Sequence, residues 1–175
     1  MRGVPVKRIA MAALLTAIAL VIYVVEANIP PLAPVPGVKL GLSNIVTLFA
    51  LYIMGPGAAL GVLVCRIALG GLATGQPAAI IYSLAGGIPA LLFSMLVYRV
   101  FPRKQIWVLS ALAAVIHNMG QITAAALITM APGLFVYAPV LVASGVVTGS
   151  FTGAAAQALL AALTGRGVVT FYKRK

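Results

Sequence analysis

Long apolar stretches follow one another along almost the whole chain, and the charged residues at their ends are nearly all basic. A helix needs about 20 mainly apolar residues to cross a bilayer. Such segments are predicted over residues 6–26, 40–54, 58–72, 77–100, 105–130 and 134–163, the second and third being short. The breaks between them carry turn chemistry: four prolines in residues 28–37, then Gly55-Pro56-Gly57, Thr74-Gly75-Gln76, Phe101-Pro102-Arg103-Lys104 and Pro132-Gly133. Pro89 falls inside the fourth segment and predicts a kink there. The fold class read from this pattern is all-α, a polytopic membrane protein of about six transmembrane helices. Residues 1–175 read as a single transmembrane domain.

Composition supports this reading. Only 7% of residues are charged and 63% are hydrophobic, whereas a soluble domain carries about 25% charged residues to keep its surface wet. The first apolar run, residues 9–25, exceeds the roughly 7–15 residues of a signal-peptide core and is read as a membrane helix. Twelve Lys and Arg face one acid, Glu26. These cations sit at segment ends and form no stripe interleaved with aromatics, so nucleic acid is not an expected partner. Ten of the twelve fall in segments that share one side if the N-terminus is cytoplasmic; Lys39 is on the other side and Arg66 lies within a helix. The positive-inside rule therefore predicts a multi-pass protein of the plasma membrane with both termini cytoplasmic. The single Cys65 excludes an intramolecular disulfide and reads as a small buried hydrophobe.

Ionisable residues in hydrocarbon are costly and mark function by default. Arg66 lies about nine residues into the third segment, near mid-bilayer. Its guanidinium stays charged and needs either a structural partner, such as carbonyls or Glu26, or an anionic ligand. At similar depth the fifth segment carries His117, Asn118 and Gln121, placed for interhelical hydrogen bonds or for a ligand. Lys39, Ser43 and Asn44 follow the Pro-rich loop; with Gln76, Tyr82, Ser83 and Tyr137 they are expected at an outer rim, where the loop is either a lid or a connector. Thr148 and Thr152 are expected to bond their own helix backbone. Gly145, Gly149 and Gly153 recur on one face of the sixth segment, and Ala13 and Ala17 on the first; each face suits either packing within the bundle or a partner subunit.

Several chemistries have no residues to perform them. There is no Gly-x-x-x-x-Gly-Lys-Ser/Thr loop for a nucleotide, no carboxylate pair for Mg²⁺ or acid–base work, and no cluster suited to a metal. No enzyme activity, cofactor or metal is expected.

The strings Pro36-Gly-Val-Lys-Leu-Gly-Leu-Ser-Asn44, Ser83-Leu-Ala-Gly-Gly87, His117-Asn-Met-Gly-Gln121 and Pro132-Gly133 resemble the heptaprenyl diphosphate synthase component I family, also called Gx transporters. The resemblance covers almost the entire chain. That family is similar to the substrate-binding S components of energy-coupling factor vitamin transporters. The resemblance implies six helices with cytoplasmic ends and a ligand pocket near the outer face. It also implies a small-residue face on the first helix, here Ala13 and Ala17, that docks on a transmembrane coupling subunit driven by cytoplasmic ATPases. The function expected from it is binding of a small anionic, vitamin-like or isoprenoid-like molecule by Arg66, His117, Asn118, Gln121, Lys39, Asn44 and Ser83. The family's label, and its occurrence beside flavin-linked extracellular electron-transfer and quinone genes, imply an alternative, a membrane accessory subunit of polyprenyl diphosphate synthesis or of a flavin/quinone-linked extracellular electron-transfer system. Prenyl diphosphate synthases hold diphosphate with Asp-rich Mg²⁺ clusters; this sequence contains no Asp, so a catalytic subunit is not expected.

Overall fold

In a computed structural model, which describes residues 6–29 and 41–172, six α-helices run alternately up and down: α1 Val6–Ala27, α2 Asn44–Met54, α3 Pro56–Ala73, α4 Pro77–Val97, α5 Ile106–Ile128 and α6 Ala138–Gly165. Short 3₁₀ turns, Arg103–Gln105 and Pro132–Tyr137, precede α5 and α6. They replace the first residues of the fifth and sixth predicted segments. The fourth stops at Val97, before Arg99, and Pro89 is accommodated inside α4 without ending it. No strand occurs among the described residues.

Five helices are long and apolar enough to cross a membrane, and α2 is a shorter apolar helix. Their outward faces are apolar as well: Val21, Leu96, Leu127 and Phe151 are all more than half exposed. A water-facing surface would not tolerate so continuous an apolar coat. The protein is embedded in a membrane.

The lipid is as apolar as the helices, so helix association rests on close packing rather than on burial from water. Glycines supply it. A β-carbon on Gly149 would meet Ala111 Cα at 2.7 Å, and one on Gly153 would meet Trp107 Cα at 2.6 Å. The Gly145/149/153 face is therefore spent inside the bundle, on α5. Ile106 N–H donates to Gln157 Oε1 at 3.1 Å, which ties the start of α5 to α6. Ala13 and Ala17 do the opposite: both are exposed on the outer face of α1, beside Leu14 and Ile18.

Cys65 corrects a sequence expectation. It is exposed on the outer face of α3, near Val64 and Leu69, and is not a core residue. It lies one position from buried Arg66, and adjacent residues point about 100° apart on a helix. In lipid, Cys65 is expected to resist a water-soluble maleimide, because hydrocarbon excludes the charged reagent. It should react after denaturation in detergent. Rapid labelling of the folded protein in bilayers would place α3 at a water-facing surface.

The helix α2 has 11 residues, roughly 16 Å at 1.5 Å per residue, about half of a hydrocarbon core roughly 30 Å thick. Its C-terminus lies at the basic end, where Arg8 Nη2 donates to Met54 O at 2.5 Å. Its N-terminus therefore sits deep in the bundle. Non-helical backbone at that depth is tolerated only where protein satisfies it. The turn preceding α2 meets this demand: Asn44 N–H bonds Gly41 O at 2.9 Å, and Gly41 N–H donates to Glu26 Oε1.

Candidate functional site

The buried start of α2 organises a polar cluster. Ser43 precedes α2 as its N-cap, yet its side chain makes no capping bond. Arg66, ten residues into α3 and 2% exposed, takes that hydroxyl instead. Arg66 Nη1 donates to Ser43 Oγ at 2.5 Å, and Arg66 Nη2 donates to Asn44 Oδ1 at 2.5 Å. The carboxylate of Glu26, buried on α1, acts electrostatically on the same guanidinium. A helix N-terminus carries partial positive charge, so the guanidinium and the start of α2 repel each other. Glu26 offsets both.

His117 and Gln121 complete the cluster from α5. A β-carbon on Gly41 would lie 3.1 Å from His117 Nε2 and 2.7 Å from Asn44 Nδ2. One on Gly86 would lie 2.5 Å from His117 O and 2.9 Å from Gln121 Cγ. A β-carbon on Gly120 would collide with Ala85 O. The crossing of Gly86 with Gly120 thus lets α5 press its His117–Gln121 face onto α4. Ser83, also buried, lies one turn before Gly86.

The structure divides the residues singled out from the sequence. Arg66, Asn44, His117 and Gln121 come together. Asn118 turns away: its Nδ2 donates to Leu141 O on α6 at 2.8 Å, because one residue along a helix rotates the side chain off the shared face. Ser43, Asn44, Tyr82 and Ser83 are not at a rim. Ser43, Tyr82 and Ser83 are buried, and the short α2 carries Ser43 and Asn44 down to the depth of Arg66. Lys39 and most of the Pro-rich loop lie outside the described residues.

Beside Asn44 opens a cavity of about 30 Å³, bounded by α2, α4, α5 and α6. Asn44, Thr47, Ser94, Ser110, Thr148 and Thr152 contribute its polar wall. Thr148 and Thr152 do bond their own backbone, to Ser144 O at 2.7 Å and Thr148 O at 2.9 Å, and they line the cavity as well. Thr47 Oγ1 is buried with no hydrogen-bond partner among the described residues. Thr47, Ser94 and Ser110 were missed from sequence. For Ser94, Ser110 and the threonines a signal existed, since each is a hydroxyl within an apolar span; only the assembled bundle shows that four helices turn these hydroxyls toward one space.

The sequence matches the family described as heptaprenyl diphosphate synthase component I over residues 15–159. The chain belongs to that family. The match begins within α1 and ends within α6, so all the residues of the cluster and the cavity lie inside it. No curated protein and no solved structure matches the chain.

Proposed function

We propose that this chain is a non-catalytic, ligand-binding membrane subunit of a larger complex, working as the substrate-binding component of an energy-coupling factor type importer. The observation that carries this reading is the hydroxyl-lined cavity at the centre of a lipid-embedded bundle. Ser94 bonds Ala90 O, Ser110 and Thr152 bond each other, and Thr148 bonds Ser144 O, which leaves Thr47 as the hydroxyl there without a partner among the described residues, at a cost of about 1–3 kcal/mol for a buried polar group. The cavity has room for about two waters, and ligand sites for small molecules span about 300 Å³ or more, so binding requires the helices around it to part. Asn44 touches both the cavity and Arg66, and an acceptor on a ligand seated there competes with the Asn44 amide oxygen for the guanidinium. This linkage suits a ligand with its own acceptor or negative charge. Ala13 and Ala17, exposed on α1, supply the small-residue face for a coupling subunit. The plasma membrane and cytoplasmic termini belong to the same reading, supported by the basic residues gathered at one end.

Native mass spectrometry of protein purified in mild detergent tests it directly. The expected result is a retained small molecule, whose affinity falls about tenfold in Thr47→Val or Ser110→Ala, the loss of one or two hydrogen bonds to a buried ligand. Unchanged affinity in both variants would remove the cavity from the site.

A second reading is favoured by the family's description, which names one component of a synthase. On that reading the chain is an accessory membrane subunit to a catalytic partner. Co-purification separates the two, since ATPase and coupling subunits support import and a soluble prenyl synthase supports the accessory role.

A further inference from the structure

At the opposite end of α2 from the Arg66 cluster lies a second, larger cavity of about 430 Å³, lined by Tyr52, Tyr98, Arg99, Phe101, Arg103 and Phe171 among others. Its floor is Tyr52 on α2. One wall is the turn after α4, and the other is the segment following α6, held in place where Tyr172 N–H donates to Tyr52 O at 2.8 Å. We infer that this cavity is a binding site for a phosphate group attached to an apolar body, separate from the central cavity.

Arg99 and Arg103 both line one concavity, with Lys104 adjacent in sequence, and no acidic side chain is available to neutralise them. The sequence has a single acid, Glu26, and it is engaged with Gly41 at the other end of α2. Two guanidinium groups gathered without a carboxylate repel each other until an outside anion joins them.

Their geometry adds a second argument. Arg103 lies over the Phe171 ring, its Cζ 3.9 Å from the centroid. Arg99 Cζ lies 5.4 Å from the Tyr98 centroid, and its Nε donates to Tyr98 Oη at 3.0 Å. Stacking occupies the faces of the guanidinium groups and orients them. Their Nη edges remain available to fork onto an anion, the arrangement that matches phosphate oxygens. The third observation is independent of the arginines. Tyr52 lines the same cavity, and its hydroxyl is buried with no hydrogen-bond partner among the described residues. A turn of the side chain brings this unpartnered donor to an anion seated between the arginines. The aromatic lining accepts the apolar remainder of the molecule, and the volume is in the range of small-molecule sites.

Phosphate of this kind reaches the cavity either from the head of a bilayer lipid or from a soluble phosphate ester. Titration of the full-length protein in neutral detergent, read by native mass spectrometry, separates these sources. The probes are dihexanoyl phosphatidic acid, dihexanoyl phosphatidylcholine and inorganic phosphate. Phosphatidic acid should bind in preference to phosphatidylcholine, and the double variant R99Q/R103Q should weaken it by about tenfold or more, the loss of charge-assisted bonds. Lys104→Gln removes one neighbouring positive charge, half that of the double variant, without lining the cavity, and should change affinity less than twofold. Displacement by inorganic phosphate assigns the site to soluble phosphates as well; binding of phosphatidic acid that phosphate does not displace assigns it to lipid. Equal retention of phosphatidylcholine, no effect of R99Q/R103Q, or an equal loss in Lys104→Gln would overturn the site in favour of diffuse surface charge. Both arginines are exposed, so the variant should fold. Tyr52→Phe is a second check, weakening phosphatidic acid while leaving thermal unfolding unchanged; unaltered affinity there excludes the hydroxyl from the site.

Discussion

Arg66→Ala is expected to cost the folded bundle about 3–5 kcal/mol, the range for removing one member of a buried charged network. The loss has identifiable parts. Ser43 Oγ and Asn44 Oδ1 each lose a charge-assisted hydrogen bond, and the Glu26 carboxylate keeps its burial while losing its balancing cation. Thermal unfolding in detergent, followed by size exclusion, measures the effect. Adding Glu26→Gln to Arg66→Ala should recover a substantial part of it, because the uncompensated charge is then gone and only hydrogen bonds remain unmade. Arg66→Lys should fall between wild type and alanine, since an ammonium keeps the charge but cannot fork onto Ser43 and Asn44 together. If the double variant is no more stable than Arg66→Ala alone, Glu26 and Arg66 are not one electrostatic unit.

The second large effect is steric. Gly120→Ala and Gly86→Ala should each destabilise the protein by about 1–3 kcal/mol, and valine at either position by more, as overpacking of a closed interface does. The new β-carbon would press on Ala85 O or on His117 O. Backbone cannot rotate aside as a side chain can, so α4 and α5 must separate. Gly57 and Gly61 provide the contrast within α3, because a β-carbon at either meets nothing within 4 Å. Alanine there should be neutral or stabilising by up to about 1 kcal/mol, from helix propensity alone. The same unfolding assay compares the four variants. Equal effects at all four positions would mean that glycine's backbone freedom, and not helix contact, sets its cost in this bundle. Gly86→Ala should also reduce ligand retention, since it displaces the helix that carries His117 and Gln121.

How far the site could be read in advance differed by residue. Arg66 was evident because a permanent charge in hydrocarbon requires a partner, whatever the fold. The His117–Gln121 pair was evident from its four-residue spacing. The same reasoning erred at Asn118, where a three-residue offset from Gln121 left its direction open and the neighbouring α6 carbonyl of Leu141 decided it. It also erred at Ser43 and Asn44. Their sequence position after a loop suggests a rim, and only the short span of α2 shows that the loop's end must descend into the bundle. Cys65 was misjudged because an apolar run in a membrane helix does not distinguish lipid from core: both are apolar, and a buried stripe has no polar face opposite to define it.

Sequence alone therefore determined that the chain lies in a membrane, how many apolar helices it has, and that one buried cation must be answered. Those follow from the energetics of single segments, since hydropathy, turn chemistry and charge act locally. The tertiary structure decided which partner answers Arg66, that the α6 glycines face α5 while the α1 alanines face outward, and where hydroxyls from four helices line a common cavity. Those depend on helix rotation and depth. In a bundle whose outside is as apolar as its inside, close packing between backbones fixes both.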